Sequence, residues 1–233
     1  MNQIDQVNLR IGILGGGQLG RMLVQEAISW NLEIFALDPD PNAPVRNLVT
    51  NFVQGDFRDF QTVLDFGRLC NVITIEIEQV NTEALKKLQS EGIKIIPDPE
   101  MIDIIRDKGL QKQFYIDHEI ETLPFSLYSS REDLLNNLPQ LPFVQKSRTM
   151  GYDGKGVKVV RDENDLQNLL EGPCLTEPML PFEKEIAVLV AGNDKDEMVV
   201  FPVCEMMFHP EANLVELLFC PAAIDEAMAE KAV

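Results

Sequence analysis

The chain has 233 residues, a formal net charge of −18 and 45% apolar residues. That length suits one large domain or two small ones with a buried core, and a field of that sign argues against a nucleic-acid partner. Cys70, Cys174, Cys204 and Cys220 lack C-x-x-C spacing, which speaks for reduced thiols rather than a disulfide framework or zinc site. The N-terminus lacks the apolar core of a signal peptide and no run is long enough to span a bilayer. A cytoplasmic protein without a membrane partner is expected.

The elements follow in chain order. "LRIGILG" reads as a buried strand ending in glycines, and "QLGRMLVQEAISW" continues with Leu19, Met22, Leu23, Ala27 and Trp30 at helical spacing. "EIFALD" is a second strand, ending at Asp38, and a proline-rich loop follows it. "FVQGD", "NVITIEIE" and "IKIIP" are further strands, separated by the helices "FQTVLDFGRL" and "TEALKKLQS". Asn81 is placed to cap the second of these, with Glu83 in its first turn. Strands alternating with helices predict a parallel, doubly wound sheet, whose ligands bind beyond the carboxyl ends of the strands. Gly15–Gly17, Asp38 and Glu76–Glu78 all fall at such ends.

"PDPE" at 97–100 marks a boundary, and the helical stretches "EMIDIIRD" and "GLQKQFYIDH" come next. From Pro124 the pattern changes to α+β. "PFSLYSS", "LPFVQKS", "VKVVRD", "CLTEPML", "EIAVLVAG", "MVVFPVCEM" and "LVELLFCP" read as strands, with helices near 131–138 and 163–170. The expected division is 1–98, 99–181 and 182–233.

Three stretches carry chemistry. Gly15, Gly17 and Gly20 match G-x-G-x-x-G, which lets backbone amides approach a phosphate with a helix N-terminus behind them. Asp38, 18 residues after Gly20, is near the spacing of a ribose-binding acid. A dinucleotide, another phosphate and a bare strand-to-helix turn all fit this pattern. "KSRTMGYDGKGVKVV" sets Lys146, Arg148, Lys155 and Lys158 against Asp153 alone. That is a net +3 over 146–158, in a chain that carries −21 elsewhere. With Gly151, Gly154 and Gly156 between two strands, it suits a mobile loop closing over a polyphosphate; a solvated hairpin tip is the plainer reading. In "CLTEPMLPFEKEIAVLV", Glu177 ends one strand and Glu185 opens the next, either as solvated acids or as acceptors for an amino group and ribose hydroxyls. His118 and His209 receive no role.

Together "GILGGGQLGRM", "TIEIEQV", "DKGLQKQF", "K…GYDGKG" and "EPMLPFEKE" occur in the order found in the ATP-grasp superfamily. The chain resembles most its 5-(carboxyamino)imidazole ribonucleotide synthase family. The resemblance implies a pre-ATP-grasp α/β domain, an ATP-grasp lid and the start of the catalytic domain. It implies ATP and Mg²⁺ as cofactors, aminoimidazole ribonucleotide and bicarbonate as substrates, and a homodimer. The reaction would be carboxylation of the ribonucleotide through carboxyphosphate in purine biosynthesis; a formate-using purine ligase, a nicotinamide-dependent dehydrogenase and a non-catalytic nucleotide binder are the alternatives.

By resemblance, Gly17, Gln18 and Leu19 would cradle the ribonucleotide's 5′-phosphate, with Glu76 or Glu78 facing the same substrate. Lys108 and Lys146 look like the phosphate-binding basic residues, although the family often has Arg at the first. Gly151, Tyr152, Asp153, Gly154, Lys155, Gly156 and Val157 would form the lid over ATP; the family commonly has Gln where Val157 stands. Tyr152 and Asp153, with Lys146, are the candidate catalytic residues. Glu177, Pro178, Met179 and Leu180 would line the adenine, and Glu185 would hold the ribose. A family histidine that contacts ATP aligns with Phe208 or His209 depending on a gap. The Mg²⁺-binding acids of the family are expected beyond Val233, so no metal ligand is assigned within this chain. The chain is therefore expected to be a fragment without bicarbonate-dependent ATP turnover, which about 100–150 further residues would restore.

Overall fold

A computed structural model describes residues 9–149, 156–195, 197–209 and 214–233. The chain divides after Glu121 into two compact units. The first opens with strands β1 (Arg10–Leu14) and β2 (Glu33–Asp38), joined by helix α1 (Gln18–Ile28). Strand β3 (Asn51–Gln54), helix α2 (Phe60–Gly67), strand β4 (Val72–Ile75), helix α3 (Thr82–Ser90) and strand β5 (Lys94–Ile96) follow. Helices α4 (Pro99–Arg106) and α5 (Lys108–Asp117) end the unit. The five strands form one parallel sheet in the order β3-β2-β1-β4-β5, as the alternating pattern predicts.

Each face of the sheet has its own core. Leu14, Leu37 and Ile73 pack with Val63, Phe66, Leu85 and Leu88 of α2 and α3. On the other face Ile13, Ile34 and Ala36 meet Val24 of α1 and Ala43 and Val45 of the proline-rich loop. Short polar side chains set the helix starts. Asp59 accepts from the Thr62 amide at 2.8 Å and Asn81 from the Ala84 amide at 2.9 Å, as expected of a cap. Asp107 ends α4 in extended conformation and caps α5 through the Gly109 amide at 2.8 Å.

The second unit contains strand β6 (Ser126–Tyr128), helix α6 (Arg131–Asn136), and strands β7 (Phe143–Ser147), β8 (Val157–Val160) and β9 (Cys174–Pro178). These strands form an antiparallel sheet in the order β6-β9-β7-β8. One face carries Phe143, Val160 and Cys174 against Leu134 of α6 and against Leu166 and Leu169. The buried Gln145 ties this face to the backbone of Leu170, donating at 3.0 Å and accepting at 2.8 Å. The predicted helix near 163–170 is a 3₁₀ segment, Glu163–Asn168.

The remaining strands are β10 (Glu185–Ala187), β11 (Val190–Gly192), β12 (Met198–Val200), β13 (Cys204–Phe208) and β14 (Val215–Phe219), before helix α7 (Glu226–Ala232). The sequence predicts single strands over 185–192 and 198–206; each is split in two. One half of each joins the ribbon β11-β12, and the other half joins the sheet β10-β13-β14. Pro202 lies at the second break and has no amide hydrogen to continue a ladder.

Leu88 is fully buried and touches the space above Gly67, where an added Cβ would meet Leu88 Cδ2 at 2.9 Å. Leu88→Ala opens a cavity between α2 and α3. It should lower stability by about 2–5 kcal/mol, read as a fall in the urea midpoint with little change in slope.

Candidate functional site

The first group of site residues lies at the carboxyl edge of the parallel sheet. Gly15 follows β1 with φ +97°, a conformation open to glycine at little cost. A Cβ there would strike the carboxylate of Glu76, and a Cβ on Gly17 would come within 3.3 Å of Glu76 Oε1. The glycines thus clear space for an acid arriving from the end of β4, where the Glu76 amide donates to the Leu14 carbonyl at 2.9 Å. Asp38 is committed elsewhere in the same loop. It accepts from the Gly16 amide at 2.6 Å and the Asp40 amide at 2.8 Å, pinning the glycine turn to the proline-rich loop.

Gln18 and Leu19 begin α1 and are exposed, Leu19 to 64%. Glu78 is exposed and Glu76 half-buried. Burial holds the Glu76 carboxyl above its ordinary value of 4.5. The nearby negative charge of Asp38 pushes the same way, the amides of Gly17 and Gly20 oppose it, and Glu78 adds further repulsion. Gly17 therefore meets Glu76, and Glu78 is close enough to Glu76 to repel its charge. The amides expected to cradle a phosphate already face a carboxylate.

The second group lies on the face of the β7–β9 sheet opposite the Phe143 core. The register sets Lys146 across from Leu175 and Val144 across from Glu177, so Lys146 and Glu177 are diagonal neighbours. Their side chains form an ion pair at 2.5 Å, with Lys146 32% exposed and Glu177 only 3%. Val157 pairs with Lys146 from β8, and the Ser147 amide donates to the Gly156 carbonyl at 2.8 Å. Both ends of the predicted lid thus leave from beside Lys146. Gly151, Tyr152, Asp153, Gly154 and Lys155 lie outside the described residues, as does most of the loop whose mobility the glycines suggest. Pro178 ends β9. Met179 and Leu180 follow it at the surface, 40% and 52% exposed, with the Met179 amide donating to the Pro142 carbonyl at 3.3 Å. Glu185 opens β10 and is half-buried.

Lys108 is the first residue of α5 in the first unit, partly buried. Sequence reasoning passed over Lys184. It bridges Glu205 at 3.0 Å and the Ala223 carbonyl at 2.7 Å, and this contact holds the Glu205 carboxyl below the usual range. An acid 21 residues away gives no local signal for it. Phe208 and His209 follow a register shift in β13–β14 between Met207 and Phe208. Among the described residues no three His, Cys, Asp or Glu side chains converge on a metal position, and no helix is long and apolar enough to cross a membrane.

The chain matches two family models: the ribonucleotide synthetase preATP-grasp domain over residues 9–106 and the ATP-grasp domain over residues 113–233. It is therefore an ATP-grasp chain with the ribonucleotide-type domain before it. It is 35% identical to the phosphoribosylaminoimidazole carboxylase of Ogataea methanolica over 232 residues, 95% of this chain and 42% of that protein. The N5-carboxyaminoimidazole ribonucleotide synthetase of Thermotoga maritima superposes with a TM-score of 0.85 at 33% identity, over 96% of this chain and 58% of that one. The Aspergillus clavatus N5-carboxyaminoimidazole synthase, in complex with ADP and 5-aminoimidazole ribonucleotide, does so with 0.85 at 30%, over 97% and 61%. The chain belongs to the N5-carboxyaminoimidazole ribonucleotide synthase family. It spans roughly half the length of the relatives it matches.

The folded state holds the Glu76 proton more tightly than the unfolded chain, because its pKa is raised. Wild-type stability relative to Glu76→Gln should therefore fall as pH rises from 4.5 through the folded value, and level off above it. Denaturant titrations of both proteins across that window check the sign.

Proposed function

We propose that this chain supplies the ribonucleotide and ATP phosphate sites of an enzyme that carboxylates aminoimidazole ribonucleotide with bicarbonate. The observation that carries the reading is the likeness, over 97% of the chain, to the Aspergillus clavatus synthase bound to ADP and 5-aminoimidazole ribonucleotide. We place the ribonucleotide at the carboxyl edge of β1 and β4, against Gly17, Gln18, Leu19 and Glu76. A phosphate there would face the repulsion of Asp38, Glu76 and Glu78, the same cluster that raises Glu76. The edge instead suits the donor-bearing part of the molecule, the ribose hydroxyls or the amine, with Glu76 accepting.

In the second unit, Lys146 supplies positive charge to the ATP phosphates. Glu177, buried beneath it, holds the ammonium by its partner oxygen. Met179 and Leu180 offer an apolar wall and backbone amides to the adenine, and Glu185 accepts from the ribose hydroxyls. ATP supplies the phosphoryl group that activates bicarbonate, a poor electrophile without a good leaving group. The chain's own contribution is to bring anions together, neutralise them and exclude water, and positioning and charge dominate such a reaction. By resemblance, the loop from Gly151 to Val157, with Tyr152, Asp153 and Lys155, would close over the site as a lid. Mg²⁺, a homodimer and the division at 98 and 181 remain part of this proposal by resemblance. A cytoplasmic location belongs to it too.

Lys146→Met should weaken ATP binding by about 2–3 kcal/mol, roughly 30–100-fold, and should also lower stability, because it takes the cationic partner from the nearly buried Glu177 carboxylate. Calorimetric titration with ATP reads this, and an unchanged dissociation constant rejects the assignment. In a polypeptide of the relatives' length containing these residues, phosphate release from ATP should require both aminoimidazole ribonucleotide and bicarbonate. Release that requires formate instead points to the formate-using ligase. NAD binding at the glycine loop is expected to be absent, because Asp38 is engaged by Gly16 and Asp40.

A further inference from the structure

Two of the four cysteines meet. In the antiparallel β13–β14 pair, Glu205 stands opposite Phe219. Extending that register one step, past the end of β14 at Phe219, brings Cys220 opposite Cys204. Directly opposed residues in such a pair point to the same face with Cα atoms about 4.5–5.5 Å apart, inside the ~4.4–6.8 Å span of a disulfide. The two segments stay hydrogen-bonded just past the cysteines, where the Ala222 amide donates to the Val203 carbonyl at 2.7 Å, one residue out of the β13–β14 register. Both thiols point at one acceptor, the Pro202 carbonyl, with Sγ–O distances of 3.5 Å from Cys204 and 3.8 Å from Cys220. All four cysteines are reduced in this structure.

We infer that Cys204 and Cys220 form a reversible cross-strand dithiol–disulfide site, oxidised by small disulfides such as oxidised glutathione. The assignment stands on register and thiol geometry, independently of the proposed enzymatic function. The two thiols differ in a way that orders the steps. Cys220 is exposed and Cys204 half-buried. Cys204 shares its proton with the Cys220 sulfur, and that contact, reinforced by burial, raises its pKa above the ordinary thiol value. The exposed Cys220 thiolate is the one that attacks a small disulfide, forming a mixed disulfide and releasing one small thiolate. The Cys204 thiolate then attacks the Cys220 sulfur and displaces the second. In total the protein loses two protons and two electrons, and the oxidant leaves as two thiols. The remaining cysteines are sealed off from this chemistry. Cys174 is fully buried, and burial pushes the Cys70 thiol up to about 12.

The test is incubation of the full chain with excess oxidised glutathione, native alkylation of free thiols, and peptide mapping without reduction. The expected result is a Cys204–Cys220 linked peptide that dithiothreitol separates, with Cys70 and Cys174 alkylated only after unfolding. Cys204→Ser should stop the sequence at a glutathione adduct on Cys220. A wild-type chain that accumulates that same adduct, or whose Cys204 and Cys220 are both still alkylated after incubation, overturns the assignment.

Discussion

The carboxylate of Glu76 needs the volume above Gly15 and Gly17, and the first unit is arranged around that need. A side chain at either position would collide with it or crowd it. The turn that avoids the collision requires φ +97° at Gly15 and is locked by Asp38 on the Gly16 amide. Central placement of β1 follows, because its carboxyl end must reach both Asp38 of β2 and Glu76 beyond β4. The order β3-β2-β1-β4-β5 puts those two strands on either side of it. The cost appears as the raised Glu76 pKa, where burial and two neighbouring acids oppose the charge.

The second unit solves a related problem with opposite chemistry. Lys146 is a part-exposed cation, and the nearly buried Glu177 fixes its position. The pairing neutralises much of the lysine's field, but it also removes rotamer freedom before a ligand arrives. The opposite face of the same sheet is filled by Phe143, Val160 and Gln145, so the strands cannot slip by one residue without burying Lys146 in that core. Register, core and candidate site are therefore one constraint.

Charge shows how local arrangement overrides composition. A chain carrying −18 is proposed to gather anionic substrates. The acids are not spread uniformly: Asp38, Glu76 and Glu78 converge on one edge, while the basic run containing Lys146 and Lys158 lies in the other unit.

Much of this was legible in the sequence. Periodicity, the Asn81 cap and the alternating order determined the parallel doubly wound unit, because each signal there is local: apolar spacing within one element and a polar side chain three residues before an amide. The glycine run, the acids at strand ends and Lys146 with Glu177 were also visible as candidates. Tertiary structure alone decided what these side chains face. Asp38 serves the loop rather than a ribose because Gly16 folds back onto it, and the amides read as a phosphate cradle meet Glu76 because β4 lies beside β1. The splitting of 185–192 and 198–206 depends on which strands they find as partners. The meeting of Lys184 with Glu205, and of Cys204 with Cys220, spans 21 and 16 residues of chain. Such contacts are set by strand pairing, and no window of sequence encodes a pairing by itself.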